Sequence, residues 1–269
     1  MNKTETKTGY IVLLEDYLKN SEEEQNEFLE DLVIESNAIE GIYNDRVVTI
    51  NEGEEPPPYY EFTDHHSALN YVLGNYKKND PTEQDIKHIH KLLTENVFRE
   101  ESEYIIHNNE LTEEEQKKVL ETYQRNSGNY RQTKVWIGSK MTGYQGTPYY
   151  RQIPKLMKGL EKQIQQLPNL SIKDIWNLHH KFETIHPFVD GNGRTGRLFL
   201  NWLSLKYHGE FIVNTKQKVS SYYDEIRSYT EQFKLENHQV HFYKDIPPRK
   251  DDFWRAYANV MLSKNEPKK

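Results

Sequence analysis

The sequence predicts an all-α fold, a helical bundle carrying one small β-hairpin. Apolar residues recur at helical spacing through most of the 269 residues, and capping sequences open several of those stretches. Val135 and Ile137 supply the clearest strand-period alternation.

Along the chain, the first helix opens at Ser21-Glu-Glu-Glu24, a capping box with acidic residues crowding the positive end of the helix dipole. Leu29, Val33, Ser36 and Glu40 share one face, and Gly41 ends the helix. Asn51-Glu-Gly-Glu-Glu-Pro-Pro-Pro58 resists helix and reads as a linker. Asp80-Pro-Thr82 opens a helix bearing Ile86, Ile89, Leu92 and Leu93, with Thr82 as cap and Asp85 three residues on. The acidic run Glu110 to Glu115 reads as a solvated helix start. Val135 and Ile137 give a strand, and Gly138 to Gly146 the turn residues of a hairpin. Ser171 to Asp174 opens a helix with Ile175, Leu178 and Phe182 on one face. Leu198, Phe199, Leu200, Trp202 and Leu203 read as a buried helix. Tyr222 to Leu235 and Phe253 to Leu262 read as helices, the last set apart by Ile246-Pro-Pro-Arg249. The expected division is an N-terminal arm over 1–58, a core over 59–245 and a short tail over 246–269.

Composition bounds the function. With no cysteine there is no disulfide framework and no Cys-based zinc site. The net charge of −7, from 35 basic and 42 acidic residues, opposes nonspecific nucleic-acid binding. The start lacks the apolar core of a secretory signal, and no stretch approaches a membrane span. A cytoplasmic protein is expected, with a homo-oligomer left open. The adjacent pair His179-His180 reads as core packing, and His88 and His90 as poor metal ligands.

The chemistry concentrates in His186-Pro-Phe-Val-Asp-Gly-Asn-Gly-Arg-Thr-Gly-Arg197. Gly191-Asn192-Gly193 can turn sharply and bring backbone close to a ligand. Gly193 or Arg194 then falls near the N-terminus of the buried helix, where unpaired N–H groups and the dipole favour phosphate. Arg194 and Arg197 are three apart and share a face, and two guanidinium forks suit phosphate oxygens. Asp190 is a hard oxygen ligand of the kind Mg²⁺ takes alongside substrate phosphates. A neutral His186 beside them can remove a hydroxyl proton. Phe188 is expected to face inward and anchor the loop. Each feature alone is a common turn, helix face or structural histidine; their joint spacing points to a site that grips a nucleoside triphosphate.

This run resembles the HxFx(D/E)GNGRxxR signature of the Fic family of nucleotidyltransferases. Trp176 to Ile185 resembles the helix leading into that signature. Gly128-Asn-Tyr-Arg131 with Val135-Trp-Ile-Gly138 resembles the family's flap, a hairpin over the active site. Tyr222-Tyr223 resembles the tyrosine pair of its adenine pocket. The resemblance implies transfer of AMP from ATP, with Mg²⁺, to a Ser, Thr or Tyr hydroxyl of a target protein. It implies that His186 is the base and that Asp190 holds the metal. Asp190, Gly191, Asn192, Gly193, Arg194, Thr195, Gly196 and Arg197 would line the phosphates, with Ile137, Gly138, Ser139 and Lys140 flanking the nucleotide. Target protein would align along the flap by strand addition, and an exposed tyrosine could be a self-modification site. Gly193 argues against the branch that phosphorylates its targets, which has lysine there. Gly146-Thr-Pro148 departs from the family's usual tyrosine and double proline after the flap.

Upstream, Ser36-Asn-Ala-Ile-Glu40-Gly41 resembles the S/TxxxE(G/N) inhibitory motif of the same family. On one helical face, Ser36 and Glu40 emerge together, so Glu40 can pair with Arg197 where a γ-phosphate would lie. Holding such a site 99:1 closed takes about 3 kcal/mol. Removal of AMP from a modified protein with the same pocket, and nucleotide sensing without catalysis, are the alternative functions.

Overall fold

A computed structural model describes residues 1–43, 59–139 and 143–244. The linker read at Asn51 to Pro58, the tail 246–269 with its helix at Phe253 to Leu262, and Lys140 lie outside the described residues. The rest is mostly helical. Strands β1 (Thr4–Glu5) and β2 (Gly9–Leu13) lead into helices α1 (Leu14–Leu18) and α2 (Glu22–Ile39). Helices α3 (Tyr60–Asn75), α4 (Glu83–His107) and α5 (Glu113–Asn126) follow, then the hairpin of β3 (Trp136–Ser139) and β4 (Gly143–Gly146). The remainder comprises α6 (Ile153–Gln166), α7 (Ile172–Ile185), α8 (Asn192–His208), β5 (Glu210–Asn214) and α9 (Val219–Glu236).

Local chemistry fixes where these helices start. Complete capping boxes open α2 (Ser21 with Glu24), α4 (Thr82 with Asp85), α5 (Thr112 with Glu115) and α7 (Ser171 with Asp174). Each supplies acceptors to N–H groups that the first turn cannot pair internally. Gly41, left-handed at φ 79°, terminates α2.

The helix that carries the site, α8, runs through the middle of the molecule. One of its faces (Leu198, Trp202, Leu205) packs against Phe28 and Val33 of α2, Leu69 and Val72 of α3, and Ile89 and Leu93 of α4. The opposite face (Phe199, Leu200, Leu203) packs against Met157 and Leu160 of α6 and Ile175, Leu178 and Phe182 of α7. Burial on both sides removes large apolar area from water, at about 25 cal/mol per Å², and leaves only the N-terminal end of α8 to face a ligand.

The sequence reading had one hairpin; the structure adds a three-stranded antiparallel sheet of order β1-β2-β5. Gly9 pairs with Asn214 and Leu13 with Glu210. Gly-Tyr-Ile-Val-Leu and Glu-Phe-Ile-Val-Asn are short apolar runs whose period does not distinguish strand from helix, and they lie far apart in the chain. The pairing joins the N-terminal segment directly to the strand after α8. No described helix is long and apolar enough to cross a membrane.

Candidate active site

The site forms where α7 ends and α8 begins. His186 caps α7 in the left-handed region at φ 50°, the one non-glycine residue with positive φ among the described residues. That conformation costs roughly 1–2 kcal/mol and is held from outside. The His186 carbonyl accepts from Arg131 Nε at 2.7 Å, and the Pro187 carbonyl accepts from the Arg131 N–H at 2.9 Å. Asn192 closes the loop: its Oδ1 accepts from Phe188 N at 2.9 Å and its Nδ2 donates to Phe188 O at 3.0 Å. Phe188 is buried and stacks on His90, centroids 3.7 Å apart. Because His90 Nδ1 accepts from Gly128 N–H (2.9 Å), its Nε2 carries the proton and donates to the Asp190 carbonyl (3.0 Å). Burial lowers the His90 pKa to about 4, so this clamp is neutral.

Gly191 provides the left-handed N-cap of α8 (φ 70°), a conformation that disfavours any side chain, and a Cβ there would also crowd Thr94. The first intrahelical bond runs from Thr195 N to Gly191 O. The N–H groups of Asn192, Gly193 and Arg194 therefore have no acceptor within the helix and form the positive end of its dipole. Thr195 Oγ1 also bonds the Gly191 carbonyl, at 2.8 Å.

Burial and the nearby Arg131 charge lower the His186 pKa to about 3, keeping its imidazole neutral at physiological pH. The Asp190 carboxylate is 62% exposed and lies 3.7 Å from Arg194 Nη2. Arg194 is buried, and its Nε and Nη1 have no hydrogen-bond partner in the structure. Arg197, also buried, donates from Nε to Ser36 Oγ and from Nη2 to the Ser36 carbonyl and Glu40 Oε1, each at 2.8 Å. Burial disfavours the Arg197 charge, but Glu40 and Tyr222 outweigh it and hold the pKa above its ordinary value. The Glu40 carboxylate lies over Gly193: a Cβ there would collide with Glu40 Oε1 and crowd Arg197 Nη1. The end of α2 thus covers the N-terminus of α8 with a carboxylate.

Three further contacts seat that end. Asn37 Oδ1 accepts from His65 Nδ1 at 2.9 Å, and Asn37 Nδ2 donates to the Glu61 carbonyl at 3.0 Å. Glu35 Oε2 accepts from Lys216 N at 2.8 Å. His65 is fully buried, and burial with the Arg194 and Arg197 charges keeps it neutral.

Tyr222 is buried; its hydroxyl donates to His179 Nε2 at 3.0 Å, while His179 Nδ1–H donates to the Gly196 carbonyl at 2.9 Å. The Arg197 guanidinium lies 5.9 Å from the Tyr222 ring centre. Tyr223 is partly exposed and reaches the Ile39 carbonyl at the end of α2, at 3.4 Å. On the hairpin, Ile137 pairs with Gln145, Gly138 with Tyr144 and Ser139 with Gly143. Gly41 follows directly on Glu40 at the end of α2, in the left-handed region. Residue reading overlooked Glu183. This fully buried carboxyl packs on Gly196, and burial, opposed by Arg197 and aided by Glu40, pushes its pKa up to about 8. His90, read from sequence only as a poor metal ligand, takes its role from Gly128 and Asp190, which are remote in sequence.

The architecture is that of the Fic fold. A Fic domain containing signaling protein from Bacteroides thetaiotaomicron superposes with a TM-score of 0.55 at 18% identity, covering 80% of this chain and 75% of that one. Fic-1 from C. elegans gives 0.53 at 16% identity, covering 81% and 61%. Residues 80–204 match the model of the Fic/DOC family. Protein adenylyltransferase Fic of Drosophila grimshawi is 30% identical over 118 residues, 40% of this chain and 23% of the relative. Its counterpart in Drosophila melanogaster is 29% identical over 118 residues, with the same shares. The chain thus spans less than a quarter of the length of these curated relatives.

Proposed function

We propose that the chain is a protein adenylyltransferase that moves AMP from ATP to a hydroxyl of a target protein and is restrained by Glu40. The observation that carries this reading is the Glu40 carboxylate, bonded to Arg197 and lying over Gly193 beside a neutral His186. A carboxylate at a helix N-terminus with two arginines stands where a phosphate oxyanion would bind. The Drosophila relatives are named protein adenylyltransferases.

In the released state, the N–H groups of Asn192, Gly193 and Arg194, with the Arg194 and Arg197 guanidiniums, hold the triphosphate. The unpaired Arg194 Nε and Nη1 are donors available for that role. Asp190 fits as a metal ligand: it is an exposed carboxylate, and Mg²⁺ commonly takes one or two carboxylates with phosphate and water oxygens. When bound, Mg²⁺ would neutralise phosphate charge. The target hydroxyl attacks the α-phosphorus, His186 accepts its proton, and the bond to the β-phosphate breaks as pyrophosphate leaves. Catalysis is mostly positioning and charge stabilisation. Tyr222 and Tyr223 border the base, and the hairpin offers strand edges to the target. With Glu40 in place, the γ-phosphate is displaced and the α-phosphorus is misaligned.

His186→Ala in a Glu40→Gly background should lower label transfer from α-labelled ATP by about 10²–10⁴-fold while ATP binding persists. Undiminished transfer would remove His186 from the reaction.

A further inference from the structure

We propose that Arg131 is a positioning residue for transfer, coupling the β3–β4 hairpin to the His186 imidazole. The inference rests on the adenylyltransferase reading.

Arg131 is 1% exposed, yet its guanidinium bonds backbone carbonyls from three separate segments. Nε donates to His186 O at 2.7 Å, Nη1 to Thr133 O at 2.8 Å and Nη2 to Pro148 O at 2.9 Å. Thr133 lies just before β3 and Pro148 just after β4, so two of the bonds grip both feet of the hairpin. The third grips the carbonyl of the residue proposed as base. A guanidinium presents donors from three nitrogens in a rigid plane, whereas the three donors of a lysine ammonium share one rotatable nitrogen.

The segment before Arg131 is tied to the same loop from the other side. Gly128 N–H bonds His90, and His90 bonds the Asp190 carbonyl. Both ends of the His186–Asp190 loop are therefore anchored to the stretch that enters the hairpin. His186 sits in a left-handed conformation, and the peptide that fixes it is the one Arg131 holds. A displacement of the hairpin feet, such as a target strand would impose on pairing, pulls on that peptide and turns the imidazole. The Arg131 charge also contributes to lowering the His186 pKa.

The test uses the full chain with Glu40→Gly, alone and with Arg131→Lys, Arg131→Gln or Thr147→Val. Thr147 Oγ1 donates to Val135 O at 2.6 Å, so its removal loosens the hairpin without touching the guanidinium. Arg131→Lys is expected to lower kcat roughly 10- to 100-fold with KM for ATP within about twofold. In Arg131→Gln the imidazole resonance of His186, assigned by its loss in His186→Ala, should titrate with about tenfold higher proton affinity or more. Thr147→Val should move the His186 resonance, and addition of Arg131→Gln should abolish that response. A kcat within about twofold of the parent, with His186 unmoved in every variant, overturns the coupling. If Glu40→Gly transfers no label, the adenylyltransferase reading fails, and the His186 titrations alone decide whether Arg131 couples hairpin and imidazole. If Arg131→Gln does not fold, Arg131→Lys and Thr147→Val decide by the same two readouts.

Discussion

Glu40→Gly removes one of three bonds by which Arg197 holds the end of α2. The Ser36 hydroxyl and carbonyl contacts remain. The lost bond is charge-assisted at 2.8 Å, a class worth about 1.5–3 kcal/mol. The Glu40 side chain is 32% exposed, so solvent screening reduces this to about 1–2 kcal/mol. At 1.4 kcal/mol per tenfold, the triphosphate-competent population should rise roughly 5- to 30-fold. Fold stability should change little, because Glu40 stands at the C-terminal end of α2, where the dipole disfavours a negative charge; a Tm shift below about 4 °C is expected. The assay is the initial rate of label transfer from α-labelled ATP, with ATP affinity measured in parallel. Glu40→Gln, which keeps the shape and loses the charge, should fall between wild type and Glu40→Gly. Equal transfer rates for all three proteins at saturating ATP would refute the reasoning.

Other outcomes follow from burial. With the His186 pKa near 3, the base is already neutral at pH 5, so transfer by Glu40→Gly should show no acid limb near pH 6.5; a limb with that midpoint, lost in His186→Ala, would contradict the assignment. Acid should destabilise the fold early. His90 and His180 are lowered to about 4 and His186 to about 3, so below pH 6.5 the unfolded chain takes up protons first and stability falls with pH. Glu183, raised to about 8, opposes this by keeping a proton in the folded state that the unfolded chain releases above pH 4.5. His65 and His179, held well below their ordinary value by burial, act in the same direction, and five histidines against Glu183 leave a slope of roughly 4–5 kcal/mol per pH unit near pH 5, which denaturant midpoints at pH 7 and pH 5 would measure. Gly196→Ala reverses the usual helix preference: alanine gains about 1 kcal/mol in an open helix, but here its methyl would collide with Glu183 and Phe182. A net loss of about 1–3 kcal/mol in thermal unfolding is expected.

What the sequence disclosed depended on how local the chemistry was. Helix starts were legible because Ser21, Thr82 and Ser171 each find their capping partner three residues on. The turn into α8 was legible because the residues that make it are consecutive. The pairing of β2 with β5 was not, since each strand is a short apolar run whose partner lies across the chain. The approach of Glu40 to Arg197, 157 residues apart, came from a resemblance to a motif rather than from any pattern along the chain. Arg131 and Glu183 escaped notice as site residues for a related reason. Buried groups whose partners are backbone carbonyls or remote side chains leave no periodic trace.

The central claim is transfer of AMP itself, and isotope position tests it most directly. Glu40→Gly should be incubated in parallel with α-labelled and γ-labelled ATP and Mg²⁺, and the protein products analysed by mass. Covalent label from the α-position alone, on a hydroxyl side chain and absent with His186→Ala, is the predicted result. Label from the γ-position, or ATP bound without any adduct, would contradict the account.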